Sequence, residues 1–106
     1  MDGRISIAYL QAYIKSKEYH PELVKDYFLK LAEETGELAR AMHKDLRPRA
    51  AGEEVRGTID EELWDIMYFV LAIANCYGID LETVIPRKEA INHVRYPGPA
   101  PFELDR

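Results

Sequence analysis

The chain has 106 residues, enough for one domain with a modest core. With 47% apolar and 31% charged residues it reads as an ordinary globular protein. Its net charge of −5 argues against a nucleic-acid polymer or an anionic membrane as partner, but not against a nucleotide, because a bound cation can reverse the local field.

The single cysteine, Cys76, has no partner for an intramolecular disulfide and lies in an apolar helical run, as a buried inert thiol would. The N-terminus lacks a basic stretch followed by an apolar one, and no run of about 18 apolar residues occurs, so neither a signal peptide nor a membrane span is expected. The expected location is the cytoplasm.

Residues 5–18 carry Ile7, Leu10, Tyr13 and Ile14 at helical spacing. Pro21 suits the first turn of a second helix over 21–44, with a stripe of Val24, Phe28, Leu31, Leu38 and Met42. Gly36 inside it costs about 1 kcal/mol against Ala. Residues 46–57 hold Arg47, Pro48, Arg49, Gly52, Arg56 and Gly57 and read as a basic loop. Thr58 and Glu61 form a capping-box pattern at the head of a third helix that Gly78 ends. Asp80 caps a fourth, which Pro86 is expected to kink or split. Proline-rich residues 98–106 read as an extended or mobile tail, leaving 1–97 as the domain. No strand pattern is present.

The stretches Glu33-Glu34-Thr35-Gly36-Glu37 and Glu61-Glu62-Leu63-Trp64-Asp65 nearly repeat each other. At three-residue spacing, Glu34 and Glu37 share one side of a helix, as do Glu62 and Asp65 on another. On a helical projection Glu34 falls at the border of its stripe, between the directions of Tyr27 and Ala41, while Glu37 lies further out near Lys30. On the third helix the stripe is Ile59, Leu63, Ile66, Phe69, Val70, Ile73 and Tyr77. Glu62 falls inside it and Asp65 at its edge.

Acidic pairs at this spacing are most often solvated helix surface. A carboxylate aimed along an apolar stripe must instead be protonated, paired or metal-bound. Residues 58–77 contain no Lys or Arg, so metal is the better reading. Four oxygen ligands suit Mg²⁺, with Mn²⁺ as substitute, more than zinc or copper. A di-iron bundle would need Glu-x-x-His motifs, and none of His20, His43 or His93 follows a Glu at that distance.

These segments, together with Lys88-x-x-x-Asn92-x-x-Arg95-Tyr96-Pro97, resemble the MazG-like all-α nucleoside triphosphate pyrophosphohydrolases, especially short single-domain members such as integron-type MazG and dCTP pyrophosphatase. The resemblance implies an all-α, four-helix protomer that assembles into an intersubunit helical bundle, as a homodimer or dimer of dimers. It implies Mg²⁺-dependent cleavage of (deoxy)nucleoside triphosphates between the α- and β-phosphates, removing non-canonical or excess dNTPs. Glu34, Glu37, Glu62 and Asp65 would be the metal-holding catalytic set. Lys88, Asn92, Arg95 and Tyr96 would meet phosphate and sugar, with Lys30 and Lys44 as further substrate-binding candidates. Arg47 and Arg49 are near enough in sequence to reach the outer phosphates, or are simply solvated loop. Tyr13, Tyr19, Tyr27 and Phe69 are candidate base platforms that equally fit a core, and Trp64, opposite the stripe, suits a subunit contact. The competing reading is a non-catalytic helical oligomerisation or regulatory module that retains a metal-binding carboxylate cluster.

Overall fold

Two long helices carry the molecule. The computed structural model describes residues 3–50 and 52–103, which form α1 (Ile7–Lys17), α2 (Val24–His43), α3 (Ile59–Cys76) and α4 (Leu81–Arg95), without strands. The turn at Pro21–Leu23 is 3₁₀, so α2 proper starts at Val24.

Local chemistry explains the ends. Ser6 Oγ accepts from the Tyr9 N–H at 3.0 Å, and Asp80 Oδ1 accepts from the Glu82 N–H at 3.0 Å. Thr58 caps α3 by accepting from the Glu61 N–H at 3.4 Å. Glu61 reaches back to the Gly57 N–H at 2.8 Å, one residue earlier than a capping box requires. The Thr58 N–H is already donated to the Val55 carbonyl at 3.1 Å. Gly78, at φ +66°, closes α3 as foreseen, with the Ile79 N–H on the Ala74 carbonyl and the Gly78 N–H on that of Asn75. The same pattern ends α2, with Asp45 in the left-handed position at φ +51°.

Pro86 does not split α4, which runs through it from Leu81 to Arg95. Pro86 lies in the second turn, where it withholds the N–H that the Glu82 carbonyl would accept and crowds that carbonyl with its ring. In the proline-rich tail, Pro101 and Phe102 share a cavity wall with Pro86, Glu89, Ala90 and His93 of α4.

Helices α2 and α3 form an antiparallel hairpin. The Tyr27 and Phe69 rings stand 6.5 Å apart, while Glu34, further along α2, meets Glu62 and Asp65, earlier on α3. α1 crosses the pair and buries Ile14 completely against Tyr27, Leu71 and Ala72. α4 packs back on α1, where Glu82 Oε2 accepts from the Ala8 N–H at 2.7 Å.

A second contact pins α1 to the α3–α4 junction. Gln11, buried, donates from Nε2 to Asn75 Oδ1 at 3.1 Å and to the Ile79 carbonyl at 2.8 Å. Its Oε1 accepts from the Leu81 N–H at 3.1 Å, and Asn75 Nδ2 donates to the Gln11 carbonyl at 2.9 Å.

The expected stripes are only half right. On α2 the buried residues are Tyr27 and Ala41, and Phe28 and Met42 are exposed. On α3, Leu71, Ala72 and Ala74 are buried while Leu63, Val70 and Tyr77 are not. α3 is apolar on nearly every side, and α1 and α2 cover only part of it. The accessible surface, 8434 Å², exceeds the roughly 6,100 Å² of a compact protein of this mass. The radius of gyration, 16.3 Å, exceeds the expected ~13 Å. Among the described residues no single helix is long and apolar enough to cross a membrane, and α3 with α4 passes such a test only jointly, across a 101° bend.

Candidate metal centre

Tyr27, Glu34 and Ala41 recur every seven residues on α2, so Glu34 points along the centre of that helix's buried line, not its border. Glu62 and Asp65 share the facing side of α3. One carboxylate oxygen from each of Glu34, Glu62 and Asp65 lies within 4.8 Å of the others. Glu62 is 7% exposed, and its Oε2 is buried with no hydrogen-bond partner.

Such a group resists ionisation. Burial above all, then the adjacent Glu34 carboxylate, then Asp65 and Glu61, push the Glu62 carboxyl up to about 7. Burial, then Glu34 and Glu61, also raise Asp65. Nearby cations are engaged elsewhere: Lys30 with Glu33 at 3.5 Å and Arg47 with Asp60 at 3.4 Å. An orphaned buried oxygen among three hard donors fits a divalent cation bound through oxygen.

The other sequence candidates are placed less directly. Glu37 is exposed and outside the three-residue group. Lys30 lies one turn before Glu34, exposed, and Lys44 is the exposed C-cap of α2. Lys88 and Arg95 are exposed on α4, Tyr96 follows its end, and Asn92 is half-buried with Nδ2 3.5 Å from Glu89. Since α4 packs on α1, the protomer does not bring this segment together with the carboxylates. Trp64 meets Tyr68 edge-on at 6.0 Å between ring centres and remains 37% exposed. Cys76 is a free, half-buried thiol, raised by burial and then by Glu22. His20 pairs with Glu22 at 3.4 Å.

Sequence reading missed Gln11 and Asn75, whose only signal was amides among apolar neighbours. It also missed Glu18, the carboxylate that accepts from the Tyr68 hydroxyl at 2.5 Å. No local spacing connects that pair.

The fold and site define an all-α helical-hairpin protein with an acidic centre for a hard divalent cation. A comparison with curated protein sequences gave no significant match. The model of the MazG nucleotide pyrophosphohydrolase domain matches residues 23–95, and the chain belongs to that family. Crystal structures of iMazG from Vibrio DAT 722 agree with it. An N-terminally tagged form is 38% identical, covering 89% of this chain and all of that one, with a TM-score of 0.78. A C-terminally tagged form is 39% identical, covering 83% and 98%, with a TM-score of 0.77.

Proposed function

We propose that the protein is a Mg²⁺-dependent pyrophosphohydrolase that cleaves (deoxy)nucleoside triphosphates between the α- and β-phosphates, releasing a monophosphate and pyrophosphate. The observation that carries this reading is Glu62, buried with one oxygen unpartnered and grouped with Glu34 and Asp65. Family membership supplies the substrate class. Glu34, Glu62 and Asp65 would hold the cation, with Glu37, on the adjoining face of α2, as a fourth ligand or as base for the attacking water. Bound Mg²⁺ supplies charge neutralisation of the triphosphate. The protein's own part is to hold the acids at the bottom of a helical interface, where low dielectric strengthens their pull on that cation.

The working unit in this reading is a homodimer or dimer of dimers. The apolar exposure of Phe28, Met42, Leu63, Val70 and Tyr77 and the surplus accessible surface support it. A partner copy would also bring the basic segment Lys88–Arg95 and Tyr96 to the carboxylates from which its own protomer separates it. Lys44 and Arg49, together with Lys30 and Arg47 once substrate competes with Glu33 and Asp60, would take outer phosphates, and Trp64 would lie at the subunit contact. We assign 1–97 to the enzymatic domain, 98–106 to a tail, the location to the cytoplasm and the role to removal of non-canonical or excess dNTPs.

The test is a panel of canonical and modified NTPs and dNTPs with Mg²⁺, assayed for pyrophosphate. Release from at least one is expected. If a folded, oligomeric preparation cleaves none, the reading fails.

A further inference from the structure

The hydrogen bonds that tie α4 to α1 gather at its head. Leu81 donates its N–H to Gln11 Oε1 at 3.1 Å, and Glu82 Oε2 accepts from the Ala8 N–H at 2.7 Å. Pro86 then removes a backbone bond in the second turn, between that anchored head and the rest of the helix. None of the residues of α4 is buried, and Val84, Ile85, Ile91 and Val94 are exposed. Beyond Leu81 its half-buried positions are Pro86, Glu89, Asn92 and His93. All of these except Asn92 line a cavity of about 380 Å³, with Ala90 and with Pro101 and Phe102 of the tail.

The tail therefore covers one side of α4. At helical pitch the cavity-lining positions of α4 fall within an arc of about 100°, and Lys88, Asn92 and Arg95 within about 60° on the opposite side. Glu89 spans the two: it stands in the cavity wall, and its Oε1 accepts from Asn92 Nδ2 at 3.5 Å. Phe102 is 48% exposed, so about half of its ring is covered. Pro97, Pro99 and Pro101 alternate, and each fixes its own φ, so the segment loses little freedom on docking. The match to the family model ends at residue 95, before this segment begins.

We propose that the tail braces α4 from behind, and that Phe102 is a positioning residue that sets how tightly the Lys88–Asn92–Arg95 face holds phosphate. It acts through the wall it shares with Glu89 and Ala90, and touches no ligand itself. A helix anchored at one end and weakened at Pro86 samples several directions beyond that point. Apolar cover on its back selects one of them, and only that fraction of the protein is competent to bind. This rests on the nucleotide reading above for its ligand, but not on cleavage.

The experiment uses the full chain. Tripolyphosphate with Mg²⁺ is titrated by calorimetry, amide exchange is followed over residues 88–95, and kcat and KM are measured for dATP, dCTP, dGTP and dTTP. Phe102→Ser should speed exchange over 88–95. If release leaves α4 competent about a tenth to a fifth as often, tripolyphosphate binds about 5- to 10-fold more weakly. KM should rise by the same factor with kcat within about twofold. The Mg²⁺-induced thermal shift should not move, because the carboxylates stand on α2 and α3. Phe102→Leu, still apolar, should restore wild-type affinity. Ala90→Gln crowds the cavity from the other wall with a good helix former and should reproduce Phe102→Ser. Unchanged exchange or affinity in Phe102→Ser, no binding of tripolyphosphate by the wild type, or Phe102→Leu as weak as Phe102→Ser would overturn the proposal. So would a fall in kcat or in the thermal shift, which marks a general loss of structure. An affinity that depends on Phe102 with no dNTP cleaved would support the brace and sink the pyrophosphohydrolase instead.

Discussion

Across the α2–α3 interface an oxygen of Glu62 lies within 4.8 Å of one of Glu34, and Glu62 is only 7% exposed. The two acids cannot both ionise cheaply without a cation. In the metal-free folded protein the Glu62 carboxyl, pushed up to about 7, holds a proton that the unfolded chain releases near 4.5. A raised acid stabilises the fold fully below the unfolded value and loses that contribution as pH rises through the folded one. Metal-free stability should fall by roughly 3 kcal/mol between about pH 4.5 and pH 8. Urea midpoints in EDTA across that range measure it, and a rising midpoint would contradict it.

Mg²⁺ and the proton compete for the same oxygens. Added Mg²⁺ should therefore raise the melting temperature more at pH 8 than at pH 5. Equal shifts at both pH values would place the cation away from Glu62.

Glu62→Gln keeps the shape and removes the charge. Pyrophosphate release should drop by about 100-fold or more, while metal-free stability at pH 8 rises by about 1–2 kcal/mol. The Mg²⁺-induced thermal shift should vanish. Near-normal turnover would show that Glu62 is not a ligand.

Gln11→Leu leaves the Ile79 carbonyl, the Leu81 N–H and Asn75 Oδ1 without their partner. The expected loss is about 2–3 kcal/mol, with faster amide exchange at the head of α4. A double-mutant cycle with Asn75→Ala should show strong coupling.

Asp45 places a negative charge at the C-terminus of α2 in a left-handed conformation. Asn tolerates that conformation and carries no charge. Asp45→Asn should gain about 0.5 kcal/mol, less at high salt.

Phe28 is 60% exposed on a groove shared with Val24, Leu29, Ile73 and Tyr77. Light scattering should give a multiple of the 12.3 kDa chain mass, and Phe28→Asp should shift it toward the monomer. A wild type that is monomeric at micromolar concentration would remove the intersubunit site.

Much of this was legible locally. Ser6, Thr58, Asp80 and Gly78 end helices through bonds to residues a few positions away, so their signals lie in the sequence itself. Pro86 reads locally as a helix breaker, yet α4 continues through it with the loss of one backbone hydrogen bond.

The sequence by itself determined four helices and two acidic pairs on helical faces, because caps, periodicity and three-residue spacing are short-range properties. It also withheld every basic residue from α3, which makes a cation the natural partner of Glu62. Only the tertiary structure decided that Glu34 lies mid-face, that Glu37 stands outside the group, that Phe28 and Leu63 are uncovered, and that Tyr68 holds Glu18. Those outcomes depend on how α1, α2 and α3 rotate and cross. A rotation of one residue, about 100°, would exchange a buried acid for an exposed one.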